Sequence, residues 1–338
     1  MKSIYNLELI DLEQFMINNN GKKYQALQVF EWLYVHRANS FDEMSNISKE
    51  IIILLNNNFS INQIKIFKKQ SDKLTNKYLF ELNDGAMIEA VLMEHDYGNS
   101  VCVSSQVGCN IGCSFCESGQ LKKVRDLLPS EMILPILLIE ADLNIRISSV
   151  VVMGIGEPFD NYDNLIKFIK IINNPKGLAI GARHITVSTC GIVPKIKEFS
   201  NLDLQINLAI SLHASNNELR SKIMKINDVY PIEDLMKSIK EYIIKTNRRV
   251  TIEYVMIDNI NDSEDSAVEL AKLLKGINVY INLIPYNDTS HLLFKKSKRI
   301  MSFYDTLKKH KLNVTVRKEF GSNIDAACGQ LRAKEVEK

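Results

Sequence analysis

From about residue 100 onward the sequence predicts an α/β fold, because short apolar segments alternate with amphipathic segments of helical period. Six or seven such strand–helix units fit a full or partial barrel better than a two-layered Rossmann sheet. Residues 1–95 follow a different pattern, with helices first and short strands afterwards. The sequence therefore predicts a partial (β/α)6-type barrel over residues 96–338 and a small N-terminal α+β accessory domain over residues 1–95.

Length and composition agree with a globular protein of two domains. The chain has 338 residues, and a single hydrophobic core stops growing efficiently near ~250–300 residues. No apolar run approaches the roughly 20 residues needed to cross a bilayer, so we expect no membrane contact. Glu8, Asp11 and Glu13 interrupt the first residues, which is unlike a secretory signal, and we expect a cytoplasmic location.

The charge balance says little about partners. A net charge of +2 and a pI near 8.1 permit a polyanionic partner but do not predict one. Three basic clusters, at residues 122–125, 295–299 and 308–311, are expected to be solvated surface more often than phosphate contacts.

The predicted elements follow in chain order. Helical periodicity covers residues 9–17, 24–36 and 47–55, and strand patterns cover residues 64–69, 77–82 and 87–93. Asn83-Asp84-Gly85 predicts the hairpin turn between the last two of these strands. The barrel strands are predicted at residues 101–104, 148–153, 184–188, 205–212, 249–255, 278–284 and 313–316. Helices are predicted between them at residues 132–141, 164–172, 232–245, 266–274 and 300–309.

The strongest chemical signal is a C-x3-C-x2-C motif formed by Cys109, Cys113 and Cys116 directly after the first barrel strand. Three thiolates leave one iron of a cubane cluster open to bind a substrate. A structural zinc site would need a fourth Cys or His at short spacing, and none follows nearby. Gly108 and Gly112 permit the tight backbone that wraps a cluster. The motif therefore indicates an iron-sulfur centre with an open position.

A second motif, Met153-Gly154-Ile155-Gly156-Glu157-Pro158, follows the second barrel strand. Alone it is weak, because Gly-x-Gly is common in turns. Together with the cysteine spacing, however, it resembles the radical S-adenosylmethionine superfamily. In that superfamily the open iron of a 4Fe-4S cluster chelates S-adenosylmethionine, whose one-electron cleavage yields a 5′-deoxyadenosyl radical. The resemblance implies that Gly156 lets the backbone approach the methionine moiety and that Glu157 accepts from its ammonium group.

Several further segments narrow the resemblance. Residues 41–44, 103–109, 210–214, 282–287 and 325–331 resemble the bacterial dual-specificity 23S rRNA and tRNA adenine-2 methyltransferases. The resemblance covers nearly the whole chain and implies 23S rRNA and tRNA as substrates, with a flavodoxin or ferredoxin as electron donor. It also implies five further residues that line the S-adenosylmethionine site, namely Ser188, Ser211, Leu212, His213 and Asn287.

Two cysteines outside the motif have no chemical role on packing grounds, since Cys102 and Cys328 both fit buried, inert positions. The family resemblance implies instead that one S-adenosylmethionine methylates Cys328 and that the radical from a second activates this methyl group. The adenine ring and Cys328 are then joined covalently, and Cys102 releases the product by attacking the sulfur of Cys328, which forms a transient disulfide. Glu89 corresponds to the family's acidic proton acceptor, a role that the sequence leaves divided between Glu89 and Cys102.

Alternatives remain open at this point. A sister enzyme methylates carbon 8 of the same rRNA adenine and confers antibiotic resistance. Phe320-Gly321 favours it slightly, whereas the N-terminal region and residues 103–107 favour carbon 2. A non-catalytic RNA-binding protein with structural cysteines, and a radical enzyme acting on a protein or small molecule, are two further readings.

Two positions add nothing to the choice among these readings. Cys190 has no expected role beyond packing. Glu117 stands where the family usually has alanine, which leaves the details of substrate choice open.

Overall fold

A computed structural model describes residues 1–61, 64–289, 291–318, 324 and 329–331. The strands are β1 (Lys2–Ser3), β2 (Phe59–Ser60), β3 (Ile64–Asp72), β4 (Thr75–Leu82), β5 (Met87–His95), β6 (Gly98–Val103), β7 (Gln106–Val107), β8 (Arg125–Asp126), β9 (Ile147–Val152), β10 (Ile185–Thr189), β11 (Asn207–Ser211), β12 (Val250–Met256), β13 (Val279–Pro285) and β14 (Val314–Val316). The α-helices are α1 (Leu9–Asn18), α2 (Lys23–Tyr34), α3 (Lys49–Asn58), α4 (Pro129–Leu143), α5 (Tyr162–Asn173), α6 (Val193–Phe199), α7 (Asn217–Ile223), α8 (Ile232–Thr246), α9 (Glu264–Leu274) and α10 (Ile300–Lys309).

The N-terminal region is helical, as its periodicity predicts. Helix α1 begins with a reciprocal cap in which the backbone N–H of Glu8 donates to the carboxylate of Asp11. An apolar stripe on α2, formed by Phe30, Leu33 and Tyr34 at spacing i, i+3, i+4, is fully buried. The stripe therefore packs this region against the main core.

A ten-stranded sheet organises the rest of the molecule. Its order is β14-β13-β12-β11-β10-β9-β6-β5-β4-β3, and the neighbours from β6 to β14 are all parallel. These are the seven predicted barrel strands, and β3, β4 and β5 extend the sheet as an antiparallel meander. The α/β partial-barrel prediction is confirmed, with the helices in the connections between the parallel strands.

Alternation along the strands gives the sheet two unlike faces. The outer face is apolar and packs with the helices in one core, as Ile210, Ile252 and Ile281 do. The inner face is polar around Ser211 and Glu253, which are opposite each other in the register of β11 and β12. Arg317, just after β14, lies with its Nη1 atom 3.9 Å from the sulfur of Met153 after β9. The sheet is thus curved enough to bring the ends of distant strands together around the inner face.

The division at residue 95 stays a prediction. Strand β5 ends at His95, and β6 hydrogen-bonds to it directly, with Val91 opposite Cys102. The main core also runs from Ile4 to Val314 without interruption among its members. Residues 64–95 therefore pack as part of the same sheet as the barrel strands.

Local sequence explains the turns and the two helices that periodicity did not predict. The Asn83-Asp84-Gly85 turn forms, with Gly85 at φ +81° and the N–H of Ala86 donating to Asp84 over 3.1 Å. Helices α6 and α7 have seven residues each, too few for a clear apolar period. Among the described helices, none is both long and apolar enough to cross a membrane.

Candidate active site

A cavity of about 170 Å³ lies where the parallel strands end, on the inner face. Carboxyl ends of parallel strands share one edge of a sheet, so the loops that follow them converge there. The predicted site residues that line the cavity are Cys109, Cys113, Cys116, Gly156, Glu157, Ser188, Ser211 and His213. The structure therefore brings together the cysteine motif, the Gly-Glu motif and three of the residues implied by the family resemblance.

The cysteine loop is tied to its surroundings by main-chain hydrogen bonds. The N–H of Cys109 donates to the carbonyl of Leu121 over 3.1 Å, and that of Ser114 donates to Ile223 over 3.0 Å. Gly108 has φ +77°, and a β-carbon there would collide with the carbonyl of Lys122. A glycine is thus required at the entrance of the loop by both backbone conformation and space.

The chemistry of the three thiols suits a cationic cluster. Burial raises the pKa of Cys109 to about 12, and it raises the pKa values of Cys113 and Cys116 as well. Positive iron would stabilise the thiolates that burial disfavours, and thiolates are the ligands that iron-sulfur clusters use. Three thiols on one wall of a shared cavity fit a cluster with one open iron.

Among the residues that the structure describes, no three His, Cys, Asp or Glu side chains converge as ligands of a single metal ion. A cubane binds each cysteine at a different iron, so its ligands need not share one point.

Glu157 is held by the backbone of two loops. Its carboxylate accepts from the N–H of Cys190 over 2.7 Å and from the N–H of Phe159 over 2.9 Å. Burial raises the pKa of Glu157, and these hydrogen bonds oppose the rise. Gly156, at φ +106°, packs against Gln106 with no room for a side chain. The motif therefore fixes a buried carboxylate at the cavity wall, where an ammonium group would be its natural partner.

The ends of β10 and β11 present two hydroxyl groups and an imidazole. Ser188 and Ser211 place their oxygens 3.3 Å apart. His213 adopts φ +57°, and its Nδ1 accepts from the N–H of Val255 over 3.0 Å. Burial, with the nearby charge of Arg220, lowers the pKa of His213 from its usual 6.5 to about 3. His213 is therefore a neutral ring at the cavity.

Two of the predicted cofactor residues do not line the cavity. The side chain of Leu212 is fully buried in the main core, while its N–H donates to the carbonyl of Glu253 over 3.1 Å. Asn287, two residues after β13, is buried, and its amide donates to the carbonyl of Pro285 over 3.4 Å. Their assignment to the cofactor site stays a prediction.

Sequence reasoning missed Arg220, which is fully buried beneath the site. Its guanidinium donates to the carbonyls of Cys190 and Leu212, the residues that follow the ends of β10 and β11. The fork of donors on arginine lets one side chain hold both loops in place. No signal in the sequence marks it, because its acceptors are backbone carbonyls that any residue would supply.

Glu253 was also missed. It lines the cavity, is buried, and accepts from the amide of Asn282 over 3.1 Å. A carboxylate at an inward position of an otherwise apolar strand, β12, is the signal that would have found it.

The predicted mechanistic residues Cys102 and Glu89 occupy the inner face beside the cavity. Cys102 packs in an apolar cluster with Val91, Ile155, Ile324 and Leu331. Glu89 is buried on β5 and forms an ion pair of 2.7 Å with the amine of Lys77. Because Val91 is opposite Cys102 and Glu89 is two residues from Val91, both side chains are on one face of the sheet.

Cys328 lies outside the described residues, but the residues that follow it, 329–331, are described. Gly329 lines the cavity, and its carbonyl accepts from the N–H of Glu117 over 2.9 Å. The carbonyl of Leu331 accepts from the hydroxyl of Ser118 over 2.6 Å. The chain on the C-terminal side of Cys328 is thus attached to the residues that follow the cysteine motif.

Family models match two parts of the chain. The model of the Radical SAM superfamily matches residues 103–271, which contain the cysteine motif and the ends of β9, β10 and β11. The model named Ribosomal RNA large subunit methyltransferase N-terminal domain matches residues 2–61. Fold, cavity and superfamily match together define a radical S-adenosylmethionine protein.

Similar proteins extend over the whole chain. "Probable dual-specificity RNA methyltransferase RlmN" of Acholeplasma laidlawii is 55% identical over 336 residues, covering 98% of this chain and 99% of its own. The protein of the same name from Enterococcus faecalis is 54% identical over 348 residues, covering 100% of this chain and 98% of its own. The crystal structure of a radical SAM methyltransferase from Sphaerobacter thermophilus is 38% identical, with a TM-score of 0.94 and coverages of 99% and 100%. The chain belongs to the RlmN family of dual-specificity RNA methyltransferases.

Replacing Arg220 by lysine should weaken S-adenosylmethionine binding about tenfold or more. Lysine cannot span the carbonyls of Cys190 and Leu212, and each buried acceptor left unpaired costs about 1–3 kcal/mol. Equilibrium dialysis with anaerobically reconstituted protein measures the effect. Arg183→Lys is the matched control, because Arg183 donates to Gln205 at the opposite ends of β10 and β11, away from the cavity. An unchanged dissociation constant in Arg220→Lys would contradict the role assigned to this residue.

Lowering the pH from 7 to 5.5 should destabilise the protein partly through His213. The unfolded chain binds a proton at this histidine below pH 6.5, whereas the folded protein does not until about pH 3. Stability is therefore present at neutral pH and falls on acidification, by about 1 kcal/mol over this interval. Denaturant unfolding at both pH values should show a smaller loss in His213→Gln than in the parent. An equal loss of unfolding free energy in both proteins would refute the contribution assigned to His213.

Proposed function

We propose that this chain methylates carbon 2 of an adenine in 23S rRNA, and of the adenine next to the anticodon in tRNA, with Cys328 as the methyl carrier. The observation that supports this best is the position of Cys102. It belongs to the same apolar cluster as Ile324 and Leu331, which lie on either side of Cys328 in the chain, while Gly329 lines the cavity of the cysteine motif. Release of the methylated RNA by disulfide formation needs a second thiol beside the methyl-carrying cysteine.

The cofactors follow from the cavity and the family. We infer that Cys109, Cys113 and Cys116 hold a 4Fe-4S cluster and that Glu157 binds the ammonium group of S-adenosylmethionine. The rest of that site would be Gly156, Ser188, Ser211, Leu212, His213 and Asn287. When bound and reduced by a flavodoxin or ferredoxin, the cluster and its ligand supply a 5′-deoxyadenosyl radical. Two molecules of S-adenosylmethionine are consumed per methylation, one for the methyl group and one for the radical.

Cys328 solves the chemical difficulty of the substrate. Carbon 2 of adenine is electron-poor and does not attack a methyl sulfonium, whereas a thiolate does. The Cys328 thiolate therefore accepts the methyl group first. The 5′-deoxyadenosyl radical would remove one hydrogen atom from this S-methyl group, and the resulting carbon radical adds to the ring, which leaves the RNA joined to Cys328. Loss of the proton from carbon 2, with return of the unpaired electron to the oxidised cluster, would then restore a closed-shell thioether.

Cys102 then releases the product. Its thiolate attacks the sulfur of Cys328, the bond between that sulfur and the transferred carbon breaks, and the carbon takes a proton to become the methyl group. A disulfide between Cys102 and Cys328 remains, and an external thiol reduces it before the next turnover.

Glu89 is the proposed acceptor of the proton that leaves carbon 2. The hydroxyl of Ser104 supports this role, because it donates to the carbonyl of Glu89 over 2.7 Å and accepts from the N–H of Ile155 over 3.1 Å. Ile155 belongs to the loop of Gly156 and Glu157, so one side chain connects the strand of the proton acceptor with the cofactor loop. Cys102 shares the proton role in this proposal.

Nucleoside analysis of RNA from a host lacking its own enzyme decides the product. Expression of the chain should produce 2-methyladenosine in 23S rRNA and in tRNA, and Cys328→Ala should produce none in either. Finding 8-methyladenosine would instead identify the carbon-8 enzyme, whose sequence signal Phe320-Gly321 lies outside the described residues. Product in rRNA alone would remove tRNA from the proposal.

Replacing Cys102 by alanine should trap RNA on the protein. Without the attacking thiolate the bond to Cys328 persists, so purified Cys102→Ala should carry RNA that resists denaturation and is released by nuclease. Denaturing gels and mass spectrometry of the Cys328 peptide measure the adduct. The double variant Cys102→Ala/Cys328→Ala is the matched control and should carry none. Free RNA in Cys102→Ala, with normal product, would refute the release step.

A further inference from the structure

Lys77 and Glu89 form a buried ion pair, and the proposed reaction assigns a role to Glu89 alone. The amine of Lys77 lies 2.7 Å from Oε1 of Glu89, and the two side chains are 7% and 2% exposed. In comparison, Lys65 and Glu81 form a pair of 2.9 Å at the sheet edge with exposures of 70% and 28%. The first pair is desolvated and the second is at the surface.

The sheet register aligns this pair with the cysteine chemistry. Lys77 on β4 is opposite Val91 on β5, and Val91 is opposite Cys102 on β6. Side chains opposite each other share a face, so Lys77, Glu89 and Cys102 all belong to the inner face. Lys77 therefore stands on the same surface as both groups that handle the adduct.

The surroundings make the lysine charge consequential. Leu79, Val91, Met93, Cys102 and Leu331 form an apolar cluster on this face. In such a setting a lone carboxylate is strongly disfavoured relative to its protonated form, and an ammonium partner at hydrogen-bond distance reverses that preference. A carboxylic acid that already carries its proton cannot accept another from a substrate.

We propose that Lys77 is a positioning residue that keeps Glu89 ionised and oriented to accept the proton from carbon 2 of the adenine. The proton passes from the ring carbon to the Glu89 carboxylate, and Lys77 serves as the counter-ion of that carboxylate. This role rests on the proposed function, in which Glu89 is the acceptor. Lys77 acts through Glu89 and does not touch the substrate.

The backbone of Glu89 is restrained as well as its carboxylate. Its carbonyl is held by Ser104, whose hydroxyl also binds the N–H of Ile155 in the cofactor loop. Backbone position is thus set from one side by the cofactor loop, and the carboxylate is set from the other side by Lys77. Loss of either restraint would move the carboxylate relative to the adenine.

The test follows the covalent adduct between Cys328 and RNA in single-turnover reactions of the reconstituted full-length protein. Lys77→Met and Lys77→Gln should form the adduct but convert it to product about 10- to 100-fold more slowly. With adenine deuterated at carbon 2, the isotope effect on this conversion should be larger than in the parent. Lys77→Arg should recover most of the rate, because it restores the charge. Lys65→Met is the matched control and should behave as the parent.

A double-mutant cycle separates a positioning role from a structural one. If Lys77 acts only through Glu89, then Lys77→Met should cause no further loss in a Glu89→Gln background. The double variant carries no buried charge at this pair, so it also remains informative if Lys77→Met alone folds poorly. Iron content and the visible absorption of the cluster report correct folding in each variant.

The outcomes distinguish the two levels of the proposal. Parent-like conversion in Lys77→Met or Lys77→Gln, or an additional loss in the double variant, would overturn the role of Lys77 while Glu89→Gln and Cys102→Ala still behave as expected. If Cys102→Ala accumulates no adduct although the parent methylates RNA, the methyl-carrier route itself is wrong, and the role of Lys77 falls with it.

Discussion

The molecule depends on the two-faced character of its parallel sheet. Side chains alternate along each strand, so every strand that contributes to the helix-packed core must also present residues to the inner face. Strands β11 and β12 each place an isoleucine in the core, Ile210 and Ile252. The next residue of each strand, Ser211 or Glu253, lines the cavity. A slip of one residue would exchange the two sets, which ties the chemistry of the cavity to the stability of the core.

The buried charges at and beneath the inner face are stabilised by specific partners. Glu157 is satisfied by backbone N–H groups, Arg220 by backbone carbonyls, and Glu89 by Lys77. Each arrangement joins segments that are remote in sequence. Because an uncompensated buried charge is costly, these contacts specify one position for each loop as well as contributing to stability.

Sequence reasoning was most successful where the information is local. The spacing of Cys109, Cys113 and Cys116 and the turn at Gly85 depend on neighbouring residues, and the barrel strands show clear apolar runs. The roles of Arg220 and Lys77 could not be predicted, because their partners are set by the register and by loops that only the folded chain brings together. The cofactor assignment of Leu212, which the family resemblance implies, stays a prediction, because its side chain is buried in the main core and does not line the cavity.

The contact between Ser118 and Leu331 joins residues 213 positions apart in sequence. During translation the cysteine motif and most of the parallel strands are synthesised well before the segment that packs on Cys102. A chain that stopped shortly before that segment would contain the elements proposed to bind cluster and cofactor but would lack Cys328, the proposed methyl carrier. Under the proposed mechanism, completion of the last part of the chain therefore decides whether the radical meets a methyl group that it can activate.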